Sequence, residues 1–138
     1  TTSNNFYYQN NSSLNLQHIE YGGGTAALNF TYGSSISIGG GTDHVISGDY
    51  SAFINGLSGR LNAYGATVTL SGSRTVSTAF VYLNTLSYAL MSSMTFVGSA
   101  TSKRYSVNGN SLLNTSGGGA SYLPGSTAGS TANGGLYT

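Results

Sequence analysis

The residues able to do acid–base chemistry are few. Apart from the tyrosines they are three carboxylates, Glu20, Asp43 and Asp49, and two imidazoles, His18 and His44. Cleaving a glycosidic bond needs two carboxyl groups facing each other across a sugar. Asp43 and Asp49 stand six apart, on opposite sides of one short strand segment, and Glu20 can approach from elsewhere, another subunit included. The simpler reading places both aspartates in turns, Asp43 in Gly41-Thr42-Asp43-His44 and Asp49 behind Gly48. His18, His44 and Asp43 are residue types that ligate metals. Two histidines 26 apart with no second pair predict surface or interface residues and no metal site. Gly22-Gly23-Gly24 and Gly39-Gly40-Gly41 are followed by no lysine and open no helix, so neither reads as a phosphate loop. No catalytic set and no cofactor are expected.

Binding chemistry is better represented. Arg60 and Arg74 are 14 apart and fall at similar places in successive repeats. That predicts a ladder on one face able to touch anionic sugar or phosphate; solvated turn residues that discourage edge pairing are the plainer alternative. There are 11 tyrosines, and each offers a flat apolar face and a hydroxyl at low entropic cost. Tyr50, Tyr64, Tyr82 and Tyr88 fall inside the repeats and read as strand residues. Tyr105, Tyr122 and Tyr137 lie beyond them and join Arg60 and Arg74 as candidate contact residues. Asn10, Asn29 and Asn114 fit the N-glycan acceptor pattern, which matters only if a eukaryote secretes the chain.

The elements that must position these residues are short strands. Apolar pairs one residue apart recur at Ile36/Ile38, Ala52/Ile54, Val68/Leu70, Val81/Leu83 and Met94/Phe96, with spacings of 16, 16, 13 and 13. Period two is the strand signature. Gly40, Gly56 and Gly72 follow the first three pairs, where glycine supplies the positive φ of a tight corner. Taking each such step as one coil with two strands, the spacing predicts an all-β chain of short-coil β-roll or β-solenoid repeats. Such coils must stack to bury their apolar faces. The reading divides the chain into an N-terminal connector with first strands (1–33), a repeat region (34–100) and a glycine-rich C-terminal segment (101–138). Phe6-Tyr7-Tyr8 falls in a polar arm rather than a packed element. A helix competes only over 85–93, where strand is favoured. After Thr101 the pattern fades, and the end is expected to make a poor core.

Charged residues are 5% of the chain, against about 25% in ordinary globular domains. Hydrophobics at 38%, set in periodic pairs, argue against disorder. A surface kept wet by Ser, Thr and Asn suits extracellular or virion-surface material. A net charge of +1 leaves no footprint for nucleic acid, and no apolar run approaches a membrane span. Without cysteine, stability must come from ladders and packing. Thr1 opens the chain without Met, as a fragment or processed product would.

Two stretches resemble known families. SGDYSAFINGLSGRLNAYGATVTLSGS, with its opening Ser47-Gly48-Asp49-Tyr50-Ser51, resembles the head repeats of trimeric autotransporter adhesins, and similar runs occur in phage tail fibres. The end of the chain, 123–138, resembles a P-G-x-x-A-G-[ST]-x-x-x-G-G-x-Y segment of phage tail proteins. The two stretches, 47–73 and 123–138, make up 43 of the 138 residues. The unequal coils and the missing neck motif favour the phage tail fibre. That resemblance implies an elongated homotrimer on the virion tail, non-enzymatic and extracellular. It would contact other tail proteins and bind a host cell-surface glycan or outer-membrane protein, for which Arg60, Arg74, Tyr105, Tyr122 and Tyr137, singled out by residue type and placement, are the candidate contacts. Wrapping three chains around one axis would also hide open edges and could gather three copies of one histidine. The alternatives are a tailspike-type polysaccharide depolymerase using Glu20, Asp43 or Asp49, and a bacterial trimeric adhesin head. An ice-binding solenoid has only Thr67-Val68-Thr69 in its favour.

Overall fold

The computed structural model describes residues 6–8 and 11–138. Alternating apolar and polar residues give a strand one side for the core and one for water. In chain order the strands are β1 (Phe6–Tyr8), β2 (Ser13–Leu16), β3 (Glu20–Tyr21), β4 (Gly24–Thr31), β5 (Ser35–Ile38), β6 (Asp43–Ile46), β7 (Tyr50–Leu57) and β8 (Arg60–Tyr64). They continue as β9 (Thr67–Asn84), β10 (Tyr88–Ser92), β11 (Thr95–Thr101), β12 (Tyr105–Val107), β13 (Leu112–Asn114), β14 (Ser130–Thr131) and β15 (Leu136–Tyr137). No helix occurs among the described residues, and the stretch 85–93 holds β10. Phe6–Tyr8, expected in an unpacked arm, pairs with β4; residues 1–5, 9 and 10 lie outside the described residues.

All the strand pairings are parallel. Parallel neighbours cannot be joined by a tight hairpin, so the chain winds. Strands β2, β5, β8, β10, β13 and β15 stack as one face, called here the β2 face. Strands β3, β6, β9 and β11 form the β3 face, and β1, β4, β7, β9, β12 and β14 the β4 face. The long β9 turns a corner and serves two faces, pairing β6 through 67–70 and β7 through 76–84. The product is a three-sided β-solenoid of about 5 turns.

This corrects the expected coil. Leu14, Ile36, Leu61, Ala89, Leu113 and Tyr137 stack in register on the β2 face. Their positions in the chain differ by 22, 25, 28, 24 and 24. One turn of the solenoid therefore takes the chain from one of these residues to the next, across three sides. The shorter sequence spacing is a step between sides. Ile36/Ile38 lie on the β2 face, Ala52/Ile54 and Val81/Leu83 on the β4 face, and Val68/Leu70 on the β3 face. Nor does the winding stop at Thr101. Strands β12 to β15 extend the β4 and β2 faces, with Val107, Leu113 and Leu123 buried.

One corner carries the true period. The chain passes from the β4 face to the β2 face through left-handed backbone at Tyr32-Gly33 (φ 50 and 78), Ser58 (56), Thr85-Leu86 (54 and 57), Gly109-Asn110 (59 and 55) and Asn133-Gly134 (49 and 76). Stacked corners hydrogen-bond along the axis, for instance Tyr32 N to Leu57 O at 3.0 Å and Asn110 N to Asn133 O at 3.0 Å. Buried serines follow three of them, and Ser111 Oγ accepts from Ser87 N at 3.0 Å.

Inside, an aromatic file climbs the axis. Successive ring centroids of Phe6, Tyr21, Phe53, Phe80, Phe96 and Tyr122 are 6.2, 5.2, 5.0, 5.8 and 5.7 Å apart. Gly56 serves this core and not a turn. It sits mid-strand in β7, in register with Phe30 and Leu83, whose side chains occupy the space a Cβ would need. Gly72 does take the positive φ expected of a corner, at 75.

Candidate functional site

On the β2 face, positions that alternate with the buried Ile36, Leu61 and Ala89 point outward. In-register pairing aligns Ser35, Arg60 and Tyr88 in one outer row and Ser37, Asn62 and Leu90 in the next. A groove of about 410 Å³ runs between them. The Arg60 guanidinium carbon lies 5.3 Å from the Tyr88 ring centroid, within cation–π range. Arg60 is exposed and makes no ion pair; the ion pair among the described residues is Arg74–Asp49. A cation, an aromatic face, an amide and two hydroxyls thus line one strip. That set suits a sugar, whose C–H face stacks on an aromatic ring while its hydroxyls pair with Asn and Ser.

The other expected contact residues are elsewhere. Arg74 sits in the corner of β9, so it forms no ladder with Arg60. Its Nη1 donates to Ser47 O at 2.8 Å and lies 4.0 Å from Asp49 Oδ1, which accepts from Thr75 N at 2.8 Å. This trio braces the corner. Tyr105 and Tyr137 stack ring on ring, 4.0 Å between centroids and 2° from parallel, at the C-terminal end of the core. The Tyr122 hydroxyl accepts from Met94 N at 2.7 Å, and its ring stands edge-on to Phe96. These three tyrosines are half-buried packing residues inside the coils. Tyr88 was hidden in the sequence because its partner Arg60 lies a full turn back along the chain, and nothing local reveals how long that turn is.

The acids also separate. Asp49 belongs to the corner. Asp43 is the first residue of β6 rather than a turn residue, and it is exposed on the outer side of the β3 face. Glu20 is exposed one strand away, in register with Val45, which places the two carboxylates diagonally on one face. On the same face Thr67 and Thr69 register with Thr95 and Val97 on one side and Asp43 and Val45 on the other, so regular threonine ranks do not form. Asn29 is only 8% exposed and accepts from Asn55 Nδ2 at 3.3 Å; Asn10 lies outside the described residues.

His44 is buried on the inner side of β6 with both ring nitrogens engaged. Thr42 Oγ1 donates to Gly39 O at 2.6 Å, so it accepts from His44 Nε2–H at 2.9 Å. That tautomer leaves Nδ1 to accept the Tyr21 hydroxyl at 3.2 Å. His18 is separate and exposed, its Nδ1 accepting from Asp43 N at 3.3 Å. No group of three or more His, Cys, Asp or Glu placed to hold a metal occurs among the described residues.

Burial lowers the His44 pKa below its ordinary 6.5, His18 adds to the lowering, and Asp43 opposes it. The folded state therefore takes this proton less readily than the unfolded chain. The stability that neutral His44 confers is whole above pH 6.5 and is lost as pH falls below it. Burial raises the Tyr21, Tyr50, Tyr122 and Tyr137 hydroxyls above 10.0, so stability also falls as pH climbs past that value. Thermal melts across pH should show a plateau with shoulders near both values, and His44→Gln should flatten the acid one. An identical acid slope in wild type and variant would remove His44 from the account.

The fold and this face define a class: a parallel three-sided β-solenoid with a polar, aromatic-bearing outer strip. No protein-family model, no curated protein and no solved structure matches the chain.

Proposed function

We propose that this chain is a host-attachment segment of a phage tail fibre, a non-enzymatic homotrimer on the virion that presents its β2 face to a cell-surface glycan. The observation that carries the reading is Arg60 over Tyr88 beside Asn62, Ser35 and Ser37 on a ladder-held face. A solenoid fixes the spacing of such groups without a hinge, and several copies per virion multiply weak contacts. An outer-membrane protein is the other receptor class that such a strip fits.

Host polysaccharide and outer-membrane preparations immobilised on a biosensor test this. Wild type should bind one of them. Arg60→Gln and Tyr88→Ala should each weaken binding about 10- to 100-fold, the size of a lost charged hydrogen bond or stacking contact. No binding to any host surface fraction, or full binding by both variants, would overturn the reading. Light scattering should give about three times 14.1 kDa; a monomer would remove the fibre.

One placement favours a second reading. Glu20 and Asp43 share the outer β3 face, the kind of carboxylate pair a depolymerase of the tailspike type requires. Release of reducing ends from host polysaccharide, lost in Glu20→Gln and Asp43→Asn, would establish it. Intact polysaccharide after prolonged incubation would eliminate it.

A further inference from the structure

The fifth coil departs from the others. Between β13 and β14 the chain makes no strand on the β3 face and loops across the end of β11 instead. Leu123 of this loop is buried, and the Tyr122 ring closes on Phe96. Between loop and strand lies a cavity of about 380 Å³, large enough for a small ligand. One wall is apolar, from Phe96, Tyr122 and Pro124. Ser99, Ser121 and Arg104 also line the cavity.

Arg104 is held for this place. Its N–H donates to Thr127 O at 3.1 Å, and its carbonyl accepts from Val81 N at 3.3 Å. Gly125 packs on its stem so closely that a Cβ there would come 2.8 Å from Arg104 Cγ and 2.9 Å from Ser102 O. Yet Arg104 Nε is buried with no hydrogen-bond partner. The chain's three carboxylates, Glu20, Asp43 and Asp49, all lie in the first two coils. Arg104 therefore has no carboxylate partner among the described residues, and a planar oxyanion is the best complement of a guanidinium.

We propose that this cavity binds a single acidic sugar residue. The carboxylate pairs with the Arg104 guanidinium, the ring lies along the Phe96–Tyr122 wall, and Ser99 and Ser121 take ring hydroxyls. The site goes beyond the attachment face around Arg60, and the two can fail separately.

Ligand-observed NMR and calorimetry on the full chain test it with glucuronate, N-acetylneuraminate, glucose and inorganic phosphate. The acidic sugars should bind saturably and glucose should not. Arg104→Gln should weaken the acidic sugars at least about 10-fold, while Arg60→Gln leaves them unchanged. Ser121→Trp, on an exposed part of the loop, fills the cavity without altering Arg104 and should also block binding. Because it keeps the guanidinium and the core, it serves even if Arg104→Gln fails to fold. Equal binding of glucose, or sugar binding that survives Ser121→Trp, would overturn the proposal. Binding of phosphate without either acidic sugar would overturn it too, and would make the cavity an inorganic oxyanion site.

Discussion

Phe80→Ala will cost the fold about 3–5 kcal/mol, the range for deleting a buried aromatic ring. Phe80 is fully buried in β9, the strand that joins two faces. Its ring stacks 5.0 Å from Phe53 of the coil before and stands edge-on, 5.8 Å from Phe96 of the coil after. A solenoid is stabilised by contacts between neighbouring coils, so a void here weakens the joint between its two halves as well as the site itself. Urea denaturation followed by tyrosine fluorescence should show a lower midpoint and a broader transition. A loss under about 1 kcal/mol would mean that the aromatic file does not couple the coils.

Gly56→Ala comes next, at about 1–3 kcal/mol from overpacking. The new methyl group must enter space held by the Phe30 ring and by Leu83, both fully buried. Neither can retreat freely, because each is wedged between coils. Combining Gly56→Ala with Phe30→Leu vacates that space, so the pair should cost less than the sum of the singles. Strict additivity would show that the glycine is needed for its backbone and not for the room it leaves.

The candidate sites were legible only in part. Arg60 can be singled out from the sequence as a scarce cation, but its partner Tyr88 cannot. The turn from Arg60 to Tyr88 is the longest on the β2 face, and apolar spacing does not reveal its length. Arg74 looks equivalent to Arg60 by spacing and is not, since one begins a strand and the other bends a corner. Arg104 carries no sequence signal beyond its charge; its orphaned Nε arises from the fold of the later loop that holds Tyr122 and Gly125.

By itself the sequence determined that the chain is all-β and that its strands stack as coils, though not that β9 runs through 18 residues or that β4 is buried from Ala26 to Thr31. Alternation is a local property, and burial of one side follows from it. The corners carry Gly or Asn only in places, at Gly33, Gly109-Asn110 and Asn133-Gly134, while Ser58 and Thr85-Leu86 take the same left-handed backbone without either, so the turn length could not be read from them. Only the tertiary structure decided which face each apolar pair belongs to, and so that a turn has three sides. An inward pair looks the same on every face. What distinguishes the faces is the register between strands a whole turn apart in the chain, and that register depends on how the coil closes as well as on the apolar alternation within each strand.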